Sequence, residues 1–183
     1  MNTRRLFLFV SVLVVAALAV TLTAALLQAQ EAESTPESRN EALRELALRI
    51  VDEAFMPGDM EVLDNYLHED YIVHSPFGDL DRETTKGFLG GLRNALTEFE
   101  AIREPVVVEG DYVAARNVWT GVFSNEFDSP WGLLEPTNEP LVWEFILIFR
   151  YNEDNLIIEE WVQTDVLGLM MQLGAPLPES EAP

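Results

Sequence analysis

Acid–base or metal chemistry in this chain has to run on carboxylates. The 183 residues include no cysteine and only two histidines, His68 and His74, beside 32 aspartates and glutamates. Disulfides, thiolate metal sites and cysteine nucleophiles are excluded, and a histidine-rich zinc site lacks its ligands. No loop has the spacing of oxygen ligands that calcium needs, so no metal is expected. One carboxylate stands out by position. Ile157, Glu159, Trp161, Gln163 and Asp165 alternate along a β-branched and aromatic run, so they share one strand face, either a pocket wall or the outside of a sheet. In a pocket, desolvation beside Trp161 would raise the Asp165 carboxyl toward neutrality, where it can take a proton next to a carbonyl and return it elsewhere. The competing reading makes Asp165 the N-cap of a helix beginning near Val166, and the two roles are compatible. Glu159 is a reserve candidate, and Glu160 points to the opposite face. Trp119, Trp143, Trp161, Phe145 and Phe149 suit a wall for a ring-bearing ligand or a plain core. Arg116 and Arg150 either hold an anionic group or pair with neighbouring acids, and His68, beside Glu69 and Asp70, reads as solvated surface.

Elements that could position these groups follow from the hydrophobic pattern. Residues 6–27 form an apolar run interrupted only by Ser11, Thr21 and Thr23, behind Arg4 and Arg5. Residues 1–29 are therefore a signal peptide or an uncleaved signal anchor, and either one exports the domain behind it. Thr3-Arg4-Arg5-Leu6-Phe7-Leu8 also has the look of a twin-arginine signal, although a chance arginine pair accounts for it. Residues 30–38 are a polar linker, with Thr35 and Pro36 opening a helix. Leu43, Leu46, Ala47, Ile50, Val51, Ala54 and Phe55 recur at helical spacing up to the Met56-Pro57-Gly58 break. Asp59 can cap a short second helix carrying Met60, Leu63 and Leu67. An extended stretch at 71–75 ends in the Pro76-Phe77-Gly78 turn. A third helix opens at Thr84 or Thr85, with Phe88, Leu89, Leu92, Ala95, Leu96 and Phe99 on one face and Gly90-Gly91 permitting close approach. The period then changes to two. Strands are expected over 101–109, 112–124, 141–151 and 156–165, as an antiparallel meander. A last short helix covers 167–173. Helices first and strands after define an α+β domain over 39–174, followed by a flexible tail at 175–183.

Charge narrows the partners. Nine of the 11 basic residues lie beyond the leader, against all 32 acidic ones, so the exported part is more acidic than the net −21 of the whole chain. Such a field repels phosphate backbones and anionic headgroups, which excludes nucleic acid and leaves the leader as the only membrane contact. With 48% hydrophobic residues the chain supports one well-formed core.

Several motifs together resemble the SnoaL-like polyketide cyclases, or ester cyclases, of the nuclear transport factor 2-like superfamily. They are Pro57-Gly58-Asp59 with Leu63-Asp64, Asp70-Tyr71-Ile72-Val73-His74-Ser75-Pro76, and Glu109-Gly110-Asp111-Tyr112-Val113-Ala114-Ala115-Arg116. Near the end, Ile148-Phe149-Arg150-Tyr151, Ile158-Glu159-Glu160-Trp161, Asp165, Leu167-Gly168-Leu169 and Gln172-Leu173-Gly174 keep the family order. The resemblance implies a cone in which a bent antiparallel sheet wraps around the helices and leaves a deep apolar pocket. It implies that Asp165 is a cofactor-free general acid/base and that His74 points into the cavity to polarise a carbonyl or orient Asp165. Trp161, Gln163, Trp119, Trp143 and Phe145 are then the substrate-binding residues, the ligand is a small hydrophobic molecule, and the sheet is a dimer surface. Two features depart from the pattern. Phe123 stands where a histidine is frequent, and the loop 124–139 is longer and carries Trp131, Leu133 and Leu134, which implies a partly lidded mouth or altered specificity. The superfamily fixes fold better than function. The expected activity is cyclase, isomerase or hydrolase chemistry, with a non-catalytic binding or dimerisation module as the alternative.

Overall fold

The computed structural model describes residues 36–176, so the leader, the linker through Thr35 and the tail from Leu177 lie outside the described residues. Contacts divide the chain after Asn40, and the fold that carries the site is the part from Glu41 onward. No described helix is long and apolar enough to cross a membrane.

Helix α1 (Pro36–Ile50) buries Leu43, Ala47 and Ile50, the one-face spacing read in the sequence. It runs on as a single wide turn, Val51–Phe55, which buries Val51, Ala54 and Phe55. Gly58 closes it at φ +81, a backbone that an L side chain resists. A 3₁₀ turn comes next at Met60–Asn65, where Asp59 accepts from the Glu61 amide at 3.2 Å. Strand β1 (Leu67–Ser75) turns through Pro76-Phe77 into β2 (Gly78–Asp81). Helix α2 (Arg82–Ala95) starts two residues earlier than Thr84, because Asp81 is its cap and accepts from the Thr84 amide at 2.8 Å. Gly90 and Gly91 do permit the close approach expected of them. An added Cβ would stand 3.1 Å from Met60 Cγ at Gly90 and 3.1 Å from Phe127 Cε2 at Gly91.

The remaining strands are β3 (Leu96–Glu109), β4 (Tyr112–Phe123), β5 (Phe127–Ser129), β6 (Gly132–Leu134), β7 (Pro140–Tyr151) and β8 (Ile157–Thr164), before helix α3 (Val166–Gln172). Leu96 and Phe99 belong to β3 rather than to the preceding helix. The strand begins with Glu98 at φ 51 and a register shift between Thr97 and Glu100, an irregularity that hides its period of two. Asn155 takes the left-handed backbone, φ 60, in the β7–β8 turn. The large sheet has the order β2-β1-β8-β7-β4-β3. The meander β3-β4-β7-β8 is antiparallel, whereas β1 runs parallel to β8, so the sheet is mixed at that one pairing. The loop 124–139 is not structureless: β5 and β6 form a hairpin that buries Phe127 and Leu134.

Apolar side chains of α1, α2, α3 and the inner sheet face form one core. Gln172 ties α3 to β7 by two bonds to Val142, accepting from its amide at 2.8 Å and donating to its carbonyl at 3.0 Å. Ala175 is buried in the same core, so packing extends one residue into the stretch read as tail.

Candidate active site

Strand β8 decides which groups reach the interior. Ile157 is fully buried opposite Tyr151, but the register with β7 shifts there, and Glu159 pairs with Arg150. This bulge reverses the alternation. Glu160 and Val162 therefore face inward with Ile157, whereas Glu159, Trp161 and Gln163 lie on the outer face.

The inner face borders an apolar cavity with about 70 Å³ open to the centres of water-sized molecules, several times what one water requires. Trp119, Trp143, Phe145 and Phe149 form much of its wall, and three of them, Trp119, Trp143 and Phe145, are among the residues expected to meet a ligand. Trp143 and Phe145 pack with centroids 4.4 Å apart, and the Trp143 indole donates to Thr164 at 2.7 Å. Phe77, Leu80, Phe88 and Leu89 line the side where the wall is half-buried, between the β1–β2 hairpin and α2. Trp131, from the β5–β6 turn, rests edge-on against Phe77 at 5.5 Å.

Five polar residues interrupt this wall, and one of them, Ser75, is committed to the β1–β2 turn, where its hydroxyl donates to the Gly78 carbonyl at 2.9 Å. Glu160 is half-buried as a residue and lines the cavity. Burial pushes its pKa up to about 7, against smaller opposite effects of the Tyr71 hydrogen bond and the Arg103 charge. The Tyr71 hydroxyl donates to Glu160 Oε2 at 2.5 Å, and burial with that carboxylate beside it holds the phenol well above its ordinary range. Thr85 is buried on α2, and its hydroxyl influences Tyr71 without a hydrogen bond of proper geometry. Arg103 is buried on β3, where Nε donates to Asn117 Oδ1 at 2.7 Å and Nη1 to the Ala47 carbonyl at 2.5 Å. Its guanidinium lies 5.2 Å from the Phe149 ring.

The two residues expected to be catalytic are elsewhere. Asp165 is exposed and accepts from the Gly168 amide at 2.9 Å, as the cap of α3. A side chain at Gly168 would collide with that carboxylate. Asp165 borders a shallow outer groove with Gln163, Thr164, Arg116 and Glu144, and does not line the cavity. Of its two readings, the geometry displays the cap. Asp165→Ala is accordingly expected to lower unfolding free energy by about 1 kcal/mol while Asp165→Asn, also a good cap, stays near wild type in denaturant titrations. His74 is likewise on the outer face, because it neighbours inward Val73 on β1. Its Nδ1 is 2.8 Å from Asp79 Oδ1 and its Nε2 3.0 Å from Glu159 Oε1, while the ring stacks on Trp161 at 5.7 Å. The Asp79 bond, then the Glu159 bond, raise the His74 pKa. Arg150 completes this network by donating to Glu159 Oε2, and Arg116 pairs with Glu144, so both arginines are matched with acids. His68 accepts from the neighbouring Asp70 amide at 3.1 Å.

Sequence reasoning missed Glu160, Tyr71, Thr85 and Arg103. Phe99, Ala101 and Arg103 share one parity on β3, which was a usable signal for the arginine; the bulge concealed Glu160.

A curved sheet packed over helices, with a cavity between them, is the nuclear transport factor 2-like architecture. The chain belongs to the SnoaL-like polyketide cyclase family, whose pattern it matches over residues 45–173. Similar solved structures include AclR from Streptomyces galilaeus, described as a candidate hydroxylase, at 20% identity and TM-score 0.64 over 76% of this chain and 99% of that one. IdmH from Streptomyces antibioticus, described as a candidate polyketide cyclase, has 26% identity and TM-score 0.58 over 73% and 99%. TsrD from Streptomyces laurentii has 25% identity and TM-score 0.59 over 78% and 100%. No curated protein matches the sequence.

Proposed function

We propose that this chain is a cofactor-free enzyme that moves protons on a small hydrophobic carbonyl compound, with Glu160 as general acid/base and Tyr71 as the hydroxyl that holds it. The observation that carries this reading is a carboxyl lining an apolar cavity with its pKa raised to about 7. Near neutral pH such a group is populated in both protonation states, the condition for taking a proton beside a carbonyl and returning it elsewhere. Family membership supports the same class of chemistry, cyclisation or isomerisation. Solvent deuterium exchange tests it without the natural substrate. The protein should accelerate exchange at the α-carbon of small cyclic ketones over buffer, with a rate rising through about pH 7. Glu160→Gln should lose about 10²-fold or more of that rate, and Asp165→Asn should lose little. Ketone binding with no exchange in wild type would leave the binding module as the function.

The outer sheet face serves the homodimer implied by the family. Val107 is 60% and Ile146 56% exposed there, and Tyr112, Ala114, Ile148 and Trp161 line a groove beside them. Large exposed apolar side chains grouped on one face mark an association surface. Ile146→Glu with Ile148→Glu is expected to shift sedimentation from dimer to monomer without changing the fold; an unchanged mass would remove this face from consideration. The leader directs the domain out of the cytoplasm, a reading that protease accessibility on intact cells tests.

A further inference from the structure

Arg103 carries no proton in the transfer described above, although its charge lowers the Glu160 pKa. Lys86 lies 3.0 Å from Asp64 and 3.1 Å from Glu61, Arg150 bonds Glu159, and Arg116 bonds Glu144, whereas the less buried Arg93 donates to the carbonyls of Phe55, Met56 and Leu96. Arg103 is as buried as Lys86, yet its bonded acceptors are an amide oxygen and a backbone carbonyl. A guanidinium has five N–H donors, and these bonds use two. The side chain lines the cavity, as Glu160 does.

We propose that the cavity takes a hydrophobic molecule bearing a carboxylate, which Arg103 binds through the guanidinium edge left open beside Asn117 and Ala47. This rests on the cavity being the substrate site and names the class of molecule that enters it. A buried cation with no carboxylate bonded to it is costly to hold, and a ligand carboxylate satisfies it with charge-assisted bonds that a planar fork is shaped to make. The rest of the wall, Trp119, Trp143, Phe145, Leu147 and Phe149, matches an apolar body. The chain's net −21 opposes an anion at long range, but salt screens that field within about 10 Å, whereas Arg103 acts at contact.

Glu160 sets when the anion is accepted. Protonated, it leaves Arg103 as the net charge of the cavity; ionised, it neutralises that charge. Anion and Glu160 proton are therefore taken up together. The other groups around them do not titrate near neutrality. Burial and Glu53 push Tyr66 up to about 12, burial and Glu160 hold Tyr71 well above its usual range, burial also raises Tyr151, and burial lowers Arg103 only to about 10. His74, Asp79, Glu159 and Arg150 lie on the outer face.

The test compares cyclohexanecarboxylate with the equally shaped, neutral cyclohexanecarboxamide on the full chain, read by quenching of Trp119 and Trp143 fluorescence at fixed ionic strength. Between about pH 6 and about pH 8 the protonated fraction of Glu160 falls from about nine-tenths to about one-tenth. Carboxylate affinity should fall about 10-fold over that range, and carboxamide affinity should hold within about twofold. Glu160→Gln should keep the higher carboxylate affinity at both pH values. Arg103→Gln should lower carboxylate affinity about 10- to 100-fold relative to carboxamide; the wild-type pH profile and Glu160→Gln decide the matter if this variant does not fold. Carboxamide binding as tightly as carboxylate at about pH 6 overturns the anion site and leaves the cavity reading standing. Failure of both probes to bind, with no ketone exchange, overturns the cavity reading itself.

Discussion

Glu160→Gln is expected to make the protein more stable in alkaline buffer and to leave it nearly unchanged in acid. The folded state holds the Glu160 proton up to about pH 7, whereas the unfolded chain releases it near the ordinary 4.5. Between those values the native state binds the extra proton, so native stability falls as pH rises and then levels off above about 7. The loss is on the order of 3 kcal/mol. Glutamine keeps the shape and an oxygen to accept from Tyr71, and carries no charge to bury. Its gain at about pH 8 is expected to be about 1 to 3 kcal/mol, below the full penalty because a carboxylate accepts the Tyr71 bond more strongly than an amide does. Chemical denaturation of both proteins at about pH 5 and about pH 8 measures this difference of differences. Equal gains at the two pH values would mean that Glu160 titrates normally, and the acid/base assignment would fall with it. An enzyme that loses turnover and gains stability through one substitution has a strained functional group at that position.

Much of the fold was legible because its elements follow simple periods. Leu43, Ala47 and Ile50 mark a helix face, and the alternation from Leu141 to Tyr151 is unbroken, with every second residue buried along β7. The motif order was enough to identify the family. The site was less legible for a local reason. A strict period of two places Glu159 and Asp165 with Ile157, but the single irregularity opposite Arg150 and Tyr151 turns Glu160 inward and sends Glu159 to His74 and Arg150. One bulge thus exchanged the roles of two adjacent glutamates. The inward position that the family motif implied for His74 fails too, since it stands opposite Trp161, which is outside. The aromatic wall escaped because β4 and β7 carry no bulge between Trp119–Trp143 and Tyr112–Arg150. The β1–β8 parallel pairing is a contact between strands 89 positions apart at the Tyr71–Glu160 bond, which no local pattern encodes.

Arg103→Met is expected to destabilise the protein by an amount that depends on pH, and the dependence identifies its partner. The substitution removes bonds to Ala47 and Asn117 and leaves the buried Asn117 side-chain oxygen without its donor. At about pH 6 that is nearly the whole effect, about 1 to 3 kcal/mol, because Glu160 is already neutral and no charge is stranded. At about pH 8 the carboxylate loses the cation that lowers its pKa. It then either stays charged without a counter-ion or takes a proton against the solvent pH, and each route adds to the cost. Met fills most of the volume of the arginine stem, so packing changes little between the two pH values. The added loss at about pH 8 is expected to be about 1 to 2 kcal/mol, and it should vanish in Arg103→Met combined with Glu160→Gln, where no carboxylate remains to strand. A loss that is the same at both pH values, or one that Glu160→Gln does not relieve, would show that the two groups are not coupled. Coupling of that size would also move the pH profile of ketone exchange to higher pH in Arg103→Met, because Glu160 then ionises later. The two readouts are independent, one from unfolding and one from turnover, and both follow from a guanidinium and a carboxyl that share one apolar cavity without forming a salt bridge.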